Sequence, residues 1–226
     1  MIHILYGMTD QSGRFSKYPA ASICSVLENS REEIQFHFIH DSTLTGSNRD
    51  KLIELVSKYD QSIQFYNVDE IFPERMKILK RKYDEIPKFG KWAFGAMYRL
   101  LAPELIDVPK IIYFDTDIIA NLDVAELWNI DLGNFPIAAK SEIDAIPNVD
   151  KIPPEIDLFS TNPKKICDEL KLVKRENYFG SSVSVYNLNL IRKIFSEEST
   201  TLIDTTFEIL YRYPFEYPDQ EDRKST

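Results

Sequence analysis

Two aspartates separated by one residue follow an apolar run near the middle of this 226-residue chain. The run covers residues 111–114, and Asp115, Thr116 and Asp117 come directly after it. In an extended backbone alternate side chains share a face, so we expect both carboxylates to point the same way. Carboxylate oxygens suit Mg²⁺ or Mn²⁺, which proteins often hold by one or two carboxylates plus the phosphates of a substrate. The pair therefore predicts a divalent-cation site at the end of a strand.

The elements that would position this pair alternate between strand and helix patterns. Apolar runs predict strands over residues 2–6, 34–39, 63–68, 110–114, 135–139 and 179–186. Apolar residues at helical spacing predict helices over 18–27, 47–56, 92–106, 189–195 and 201–211, and one or two helical turns at 124–128. This alternation predicts an α/β fold with a mainly parallel sheet. Ligands of such sheets bind beyond the carboxyl ends of the strands, where the aspartate pair falls.

Charge and glycine content limit how the chain can bind anions. With 27 Lys and Arg against 36 Asp and Glu the net charge is −9, which argues against duplex nucleic acid, because its binding depends on basic side chains that neutralise phosphates. With only 7 glycines, a glycine-rich phosphate loop is not expected. A divalent cation at the aspartate pair would supply the missing positive charge and could stabilise a departing phosphate.

Other features predict location and structural roles. The first residues lack a basic region followed by an apolar run, and no stretch approaches the ~18 apolar residues of a spanning helix, so we expect a soluble cytoplasmic protein. The lysines between residues 77 and 82 are typical of a solvated face. His3, His37 and His40 lie in or at the end of predicted strands, which favours structural roles for them.

Four segments together carry a resemblance to a known family. They are Thr9-Asp10 after the first strand, Met-Tyr-Arg-Leu at 97–100, Tyr-Phe-Asp-Thr-Asp-Ile-Ile at 113–119 with Leu-Trp-Asn-Ile-Asp-Leu at 127–132, and Tyr-Phe-Gly-Ser-Ser-Val at 178–183 with Asn-Leu at 187–188. The chain resembles glycosyltransferase family 8, which contains bacterial lipopolysaccharide galactosyltransferases and glycogenin-like enzymes. The third segment is similar to the metal-binding segment of the family and carries most of the weight.

The resemblance implies one GT-A domain over residues 1–226, with a mixed, mainly parallel sheet and flanking helices. It also implies Mn²⁺ (or Mg²⁺), a UDP-hexose donor, a carbohydrate acceptor in a glycan, lipopolysaccharide or capsule, and retention of anomeric configuration. By position, the resemblance implies that Asp115 and Asp117, with Thr116 between them, bind the metal and diphosphate, and that Thr9 and Asp10 bind the uracil. It implies that Arg99 binds the donor and that Glu142 lies near the sugar. It also implies that Asp219 binds the donor hydroxyls and that Gln220 lies near the anomeric carbon.

Departures from the family pattern leave alternatives open. These 226 residues contain no His-x-x-Gly-x-x-Lys-Pro-Trp segment, so we expect the domain to lack the family's C-terminal segment, and Gly180 and Ser182 stand where the family has Asn and Gly. A catalytically degenerate paralogue that binds nucleotide sugars is therefore one alternative. A haloacid-dehalogenase-type phosphatase with Asp115 as nucleophile is another, although Ile118 and Ile119 follow the pair in place of Gly-Thr. Acceptor contacts are predicted in the proline-bearing stretch 146–163.

Overall fold

Six strands form the central sheet of the computed structural model, which describes residues 1–85, 94–141 and 179–212. They are β1 Ile2–Met8, β2 Ile34–His40, β3 Ser62–Asn67, β4 Lys110–Phe114, β5 Ile137–Ser141 and β6 Phe179–Asn187. The strand order is β3-β2-β1-β4-β6-β5. Strands β1 to β4 pair in parallel, while β6 runs antiparallel to both of its neighbours. The mixed, mainly parallel sheet predicted from the sequence is thus confirmed.

The described helices lie on both faces of this sheet. They are α1 Lys17–Asn29, α2 Gly46–Ser57, α3 Val68–Ile71, α4 Pro73–Glu85, a 3₁₀ helix Phe94–Leu101, α5 Ala102–Leu105, α6 Ala125–Trp128, α7 Leu188–Glu197 and α8 Leu202–Arg212. Within the described ranges, no helix is long and apolar enough to cross a bilayer.

Alternating side chains of the strands build two separate cores. In β1, Ile4 and Tyr6 pack with α1 and α2, whereas Leu5 packs with the 3₁₀ helix, α4, α7 and α8. Because a parallel sheet covered on both faces buries both sets of side chains, its strands are nearly continuous apolar runs. This burial explains why β1 and β4 could be predicted from short runs of isoleucine, leucine and aromatic residues.

Three local features differ from the sequence-based predictions. The described part of the helix predicted over 92–106, with a bend or end at Pro103, is a 3₁₀ helix followed by the short helix α5, whose first turn contains Pro103. Helix α2 begins at Gly46 and not at residue 47, and it is capped by Thr45, whose side chain accepts from the Asn48 amide at 3.2 Å. Helix α4 was not predicted at all, because its charged residues conceal a narrow buried stripe of Met76, Leu79 and Tyr83.

Candidate functional site

A cleft of about 840 Å³ lies at the carboxyl edge of the sheet. Parallel strands bring their carboxyl ends to the same edge, so loops distant in sequence meet there. The walls come from the loop after β1, the loop after β2, the end of α4, the start of the 3₁₀ helix and the residues from Tyr113 onward. The lining residues used below are Thr9, Gln11, Ser12, Asp41, Lys80, Asp84, Gly95, Tyr113, Asp115, Thr116 and Asp117.

The aspartate pair lies in a turn and not in an extended strand. Strand β4 ends at Phe114, and the Ile118 amide donates to the Asp115 carbonyl at 3.3 Å to close the turn. The expectation that Asp115 and Asp117 lie in an extended strand and share one of its faces was therefore wrong. Asp115, Thr116 and Asp117 nevertheless all line the cleft, with Thr116 largely buried and Asp117 exposed.

Tyr113 and Arg99 surround the Asp115 carboxylate. The Tyr113 hydroxyl donates to Asp115 Oδ1 at 2.6 Å, and an Arg99 guanidinium nitrogen lies 3.7 Å from the same oxygen. Burial raises the pKa of Tyr113 well above its ordinary value, so its hydroxyl keeps its proton and acts as the donor. The Arg99 guanidinium lies 4.8 Å from the centre of the Tyr113 ring and donates to the Ser181 carbonyl at 3.1 Å. Arg99, which is only 5% exposed, thus belongs to the base of the site.

The two residues predicted to bind a base differ in their placement. Thr9 lines the cleft, together with Gln11 and Ser12. Asp10 is 1% exposed, and its carboxylate accepts from the Phe15 amide at 2.8 Å and from Asn48 Nδ2 at 3.0 Å. Asp10 therefore closes the loop after β1 and ties it to α2. Its predicted contact with uracil stays a prediction.

Sequence reasoning missed a polar network on the opposite wall. Tyr98 donates to Asp41 Oδ2 at 3.0 Å, and Lys80 Nζ lies 3.4 Å from Asp41 and 2.8 Å from Asp69. Burial, followed by the charge of Asp41, raises the pKa of Tyr98 and keeps it a donor. The prediction that Lys80 belongs to a solvated face was wrong, since this side chain is 31% exposed and paired. Asp41, directly after a predicted strand, was the available sequence signal.

The aspartate pair offers donor atoms of the type that Mg²⁺ and Mn²⁺ require. No group of three or more His, Cys, Asp or Glu side chains that could hold a metal occurs among the described residues. Two carboxylates still fit a site that substrate phosphates complete. The histidines have other partners: His3 bonds His37 at 3.0 Å, His37 bonds Tyr66 at 3.0 Å, and His40 bonds the Asp41 carbonyl at 2.9 Å.

Three predicted catalytic residues and one predicted region cannot be placed on this cleft. Glu142, Asp219 and Gln220 lie outside the described residues, as does the stretch 146–163 with its predicted acceptor contacts. The described lining of the cleft comes from the first half of the chain and the Asp115 turn.

The fold is that of GT-A glycosyltransferases. It matches the crystal structure of the galactosyltransferase LgtC, in complex with donor and acceptor sugar analogues, with a TM-score of 0.68 and 19% sequence identity over 96% of this chain and 68% of that one. The pattern of the family described as "Glycosyl transferase family 8" matches residues 6–202. The chain therefore belongs to glycosyltransferase family 8.

Two curated relatives are similar to this chain. The chain is 26% identical to a lipopolysaccharide 1,2-glucosyltransferase of Escherichia coli over 206 residues, which are 89% of this chain and 52% of that protein. It is 22% identical to general stress protein A of Bacillus subtilis over 140 residues, which are 60% of this chain and 46% of the relative. The chain thus spans about half the length of these two relatives. The family assignment favours sugar transfer over the phosphatase alternative.

Proposed function

We propose that this chain transfers a hexose from a UDP-sugar to a carbohydrate acceptor in a glycan, lipopolysaccharide or capsule, and that residues 1–226 form one GT-A-like domain. The observation that carries the proposal is the meeting of Thr9, Asp115, Thr116 and Asp117 on the walls of one cleft at the carboxyl edge of the sheet. A UDP-sugar needs a site of this kind, which can hold both the base and the diphosphate of the nucleotide. Family membership makes sugar transfer the chemistry that fits this site best.

Asp115 and Asp117 are the residues that would hold Mn²⁺ or Mg²⁺. Bound there, the ion would act as a Lewis acid that stabilises negative charge on the diphosphate leaving group. Among the described residues, the charged lining of the cleft consists of four aspartates, Asp41, Asp84, Asp115 and Asp117, and one lysine, Lys80, which is already paired. Because this lining repels a free diphosphate, the donor is expected to bind only with a divalent cation.

The remaining roles follow from the family positions. Thr9 and Asp10 are proposed at the uracil, Arg99 at the donor, Glu142 near the sugar, and Asp219 and Gln220 at the donor hydroxyls and the anomeric carbon. In the proposed step the acceptor hydroxyl oxygen bonds to the anomeric carbon while the bond from that carbon to the phosphate oxygen breaks. UDP leaves with the electron pair, and the hydroxyl proton passes to the departing phosphate. Attack on the same face as departure gives retention without a covalent intermediate.

Replacement of Asp115 by Asn tests the metal site. We expect wild-type protein to bind UDP in the presence of Mn²⁺ and to bind it at least about tenfold more weakly without Mn²⁺, because the acidic lining then repels the diphosphate. Asp115→Asn should remove the effect of Mn²⁺, as measured by isothermal titration calorimetry, since coordination by a carboxylate is lost on amidation. Asp50→Asn, an exposed carboxylate on α2 that does not line the cleft, is the matched control. Equal UDP affinity with and without Mn²⁺ in the wild type would contradict the proposed site.

A nucleotide-sugar-binding protein without turnover is the second candidate. It is favoured by the positions of the three histidines, since His3, His37 and His40 do not line the cleft that contains Asp115 and Asp117 and are not placed to serve there as a further metal ligand. Release of UDP from UDP-glucose or UDP-galactose, stimulated by Mn²⁺ and lost in Asp115→Asn, would exclude this candidate. Mn²⁺-dependent binding without UDP release, with or without added sugar acceptors, would support it.

A further inference from the structure

One oxygen of the Asp115 carboxylate already has a hydrogen-bond partner within the protein. The Tyr113 hydroxyl donates to Oδ1 at 2.6 Å, while no such hydrogen bond to Oδ2 is found among the described residues. The Asp115 side chain is 28% exposed and lines the cleft. A short hydrogen bond to one carboxylate oxygen fixes rotation of the group, so the second oxygen has a defined direction.

The Tyr113 side chain is itself held firmly. It is 1% exposed and packs in the core with the 3₁₀ helix, and the Arg99 guanidinium lies 4.8 Å from its ring centre. Arg99 is anchored in turn by the Ser181 carbonyl of β6 at 3.1 Å. A continuous set of contacts therefore runs from β6 through the 3₁₀ helix and β4 to Asp115. Such an arrangement leaves the phenol oxygen little freedom to move away from the carboxylate.

We propose that Tyr113 is a positioning residue for the cation site: its hydroxyl fixes Asp115 Oδ1 and leaves Oδ2 as the oxygen that binds a divalent ion. This inference rests on the proposed function, because it requires Asp115 to be a metal ligand. Tyr113 acts only through Asp115 in this scheme. Partners that orient a metal-binding side chain typically change metal affinity by 10–100-fold when they are removed.

Tyr113→Phe tests the inference, because it deletes the hydroxyl and keeps the ring beneath Arg99. We expect the dissociation constant of Mn²⁺ in the presence of UDP to rise by about tenfold. The measurement is titration of Mn²⁺ into the protein with saturating UDP, followed by the electron paramagnetic resonance signal of free Mn²⁺. The spectrum of bound Mn²⁺ should also change, since the carboxylate can then rotate. A purely structural role for the hydroxyl would not alter that spectrum.

Tyr98→Phe is the matched control, because it also removes a buried tyrosine hydroxyl that donates to an aspartate, here Asp41 at 3.0 Å. It is expected to leave Mn²⁺ affinity within about twofold of wild type, given that its hydrogen bond lies on the opposite wall and its loss is a stability effect. Circular dichroism of both variants verifies that they fold. If Tyr113→Phe fails to fold, Tyr113→Trp and Tyr113→His replace it in the same titration. Wild-type affinity for Mn²⁺ is then expected only in a variant whose ring N–H donates to Asp115.

The outcomes separate this inference from the proposed function. If Asp115→Asn binds Mn²⁺ as wild type does, the proposed cation site fails, and the inference with it. If Asp115→Asn loses Mn²⁺ while Tyr113→Phe retains wild-type affinity and an unchanged spectrum, the site stands and the positioning role of Tyr113 is overturned. A tenfold loss in Tyr113→Phe but not in Tyr98→Phe supports both.

Discussion

Two tyrosine–aspartate pairs in the cleft have the same chemistry and different surroundings. Tyr98 donates to Asp41, and Tyr113 donates to Asp115. Asp41 also accepts from the Thr43 hydroxyl and lies 3.4 Å from Lys80, so its charge is compensated within the protein. Among the described residues, the cation beside Asp115 is Arg99, with a guanidinium nitrogen 3.7 Å from Oδ1, beyond hydrogen-bond distance. Of the two carboxylates, Asp115 is therefore the one that remains able to bind a cation.

Sequence reasoning identified Asp115 but not its tyrosine partner, and it missed the pair of Tyr98 and Asp41. Asp115 was found because it follows an apolar strand, and the same apolar run concealed Tyr113, which was counted as a core residue. Both descriptions are correct, since the Tyr113 ring lies in the core and its hydroxyl reaches the site. Which oxygen a buried hydroxyl contacts depends on packing across β4, β6 and the 3₁₀ helix, and single-sequence patterns do not report it.

The hydrogen bond between the half-buried His3 and the buried His37 joins two histidines that make stability depend on pH. Burial, followed by the charge of His3, lowers the pKa of His37 to about 4, against an ordinary value of 6.5. Between these values the unfolded chain takes up a proton that the folded chain does not, so folding stability is complete above pH 6.5 and is lost as the pH falls toward 4. The loss at His37 amounts to at most about 3 kcal/mol.

We expect the free energy of unfolding in urea to be lower near pH 5 than at pH 7, and His37→Gln to reduce that difference. His37 is 3% exposed and hydrogen-bonded to His3 and Tyr66, so the variant is less stable at pH 7 and the comparison concerns the pH slope alone. His40 also has a lowered pKa, caused mainly by burial, and contributes to the slope that remains. An identical slope in wild type and His37→Gln would contradict this prediction.

At the scale of elements, the 3₁₀ helix is the part that sequence patterns described least well. Its apolar spacing predicted an ordinary amphipathic helix, and the helix does bury Met97, Tyr98 and Leu101. What the pattern could not show is how closely this helix approaches β1. A Cβ on Gly95 would lie 2.5 Å from the Thr9 nitrogen and 2.7 Å from the Met8 carbonyl carbon, so only glycine allows this contact.

Gly95→Ala therefore tests whether the 3₁₀ helix sets the shape of the cleft. The methyl group meets backbone atoms, which cannot rotate away, and overpacking of this kind costs about 1–3 kcal/mol. We expect that loss in urea unfolding, together with weaker Mn²⁺-dependent UDP binding because Thr9 must shift. Gly46→Ala is the control: its Cβ meets nothing within 4 Å, and an alanine in the first turn of α2 is expected to be neutral or slightly stabilising. Equal stability of the two variants would contradict the prediction.

At the scale of the whole molecule, local patterns predicted the parallel strands β1 to β4 but not how β5 and β6 complete the sheet. Strands β1 to β4 alternate with helices, and each parallel pair follows from this alternation. Strand β6 instead inserts between β4 and β5, more than 60 residues along the chain from β4, and antiparallel to both. Its place depends on long-range pairing of the Asp115 amide and β4 with β6, which residue patterns do not report. The family resemblance implied only that the sheet is mixed and mainly parallel.

The net charge of −9 gives the molecule a field that should favour cations and oppose free nucleotides. The cleft has the same sign in the part of the chain that the structure describes, with four aspartates against the already paired Lys80. Added salt screens this field, because the Debye length falls from about 30 Å at 0.01 M to about 8 Å at 0.15 M ionic strength.

Mn²⁺ affinity measured without nucleotide should therefore weaken by roughly threefold or more when the ionic strength rises over that range. UDP affinity measured without metal should be the same or higher at the higher ionic strength. Uridine, which carries no charge, is the control and should bind with the same affinity at both salt concentrations. Calorimetric titrations of the three ligands make the comparison. Mn²⁺ affinity that does not change with salt would show that the ion is held by local ligands alone. The acidity of the chain would then have no part in assembling the donor site.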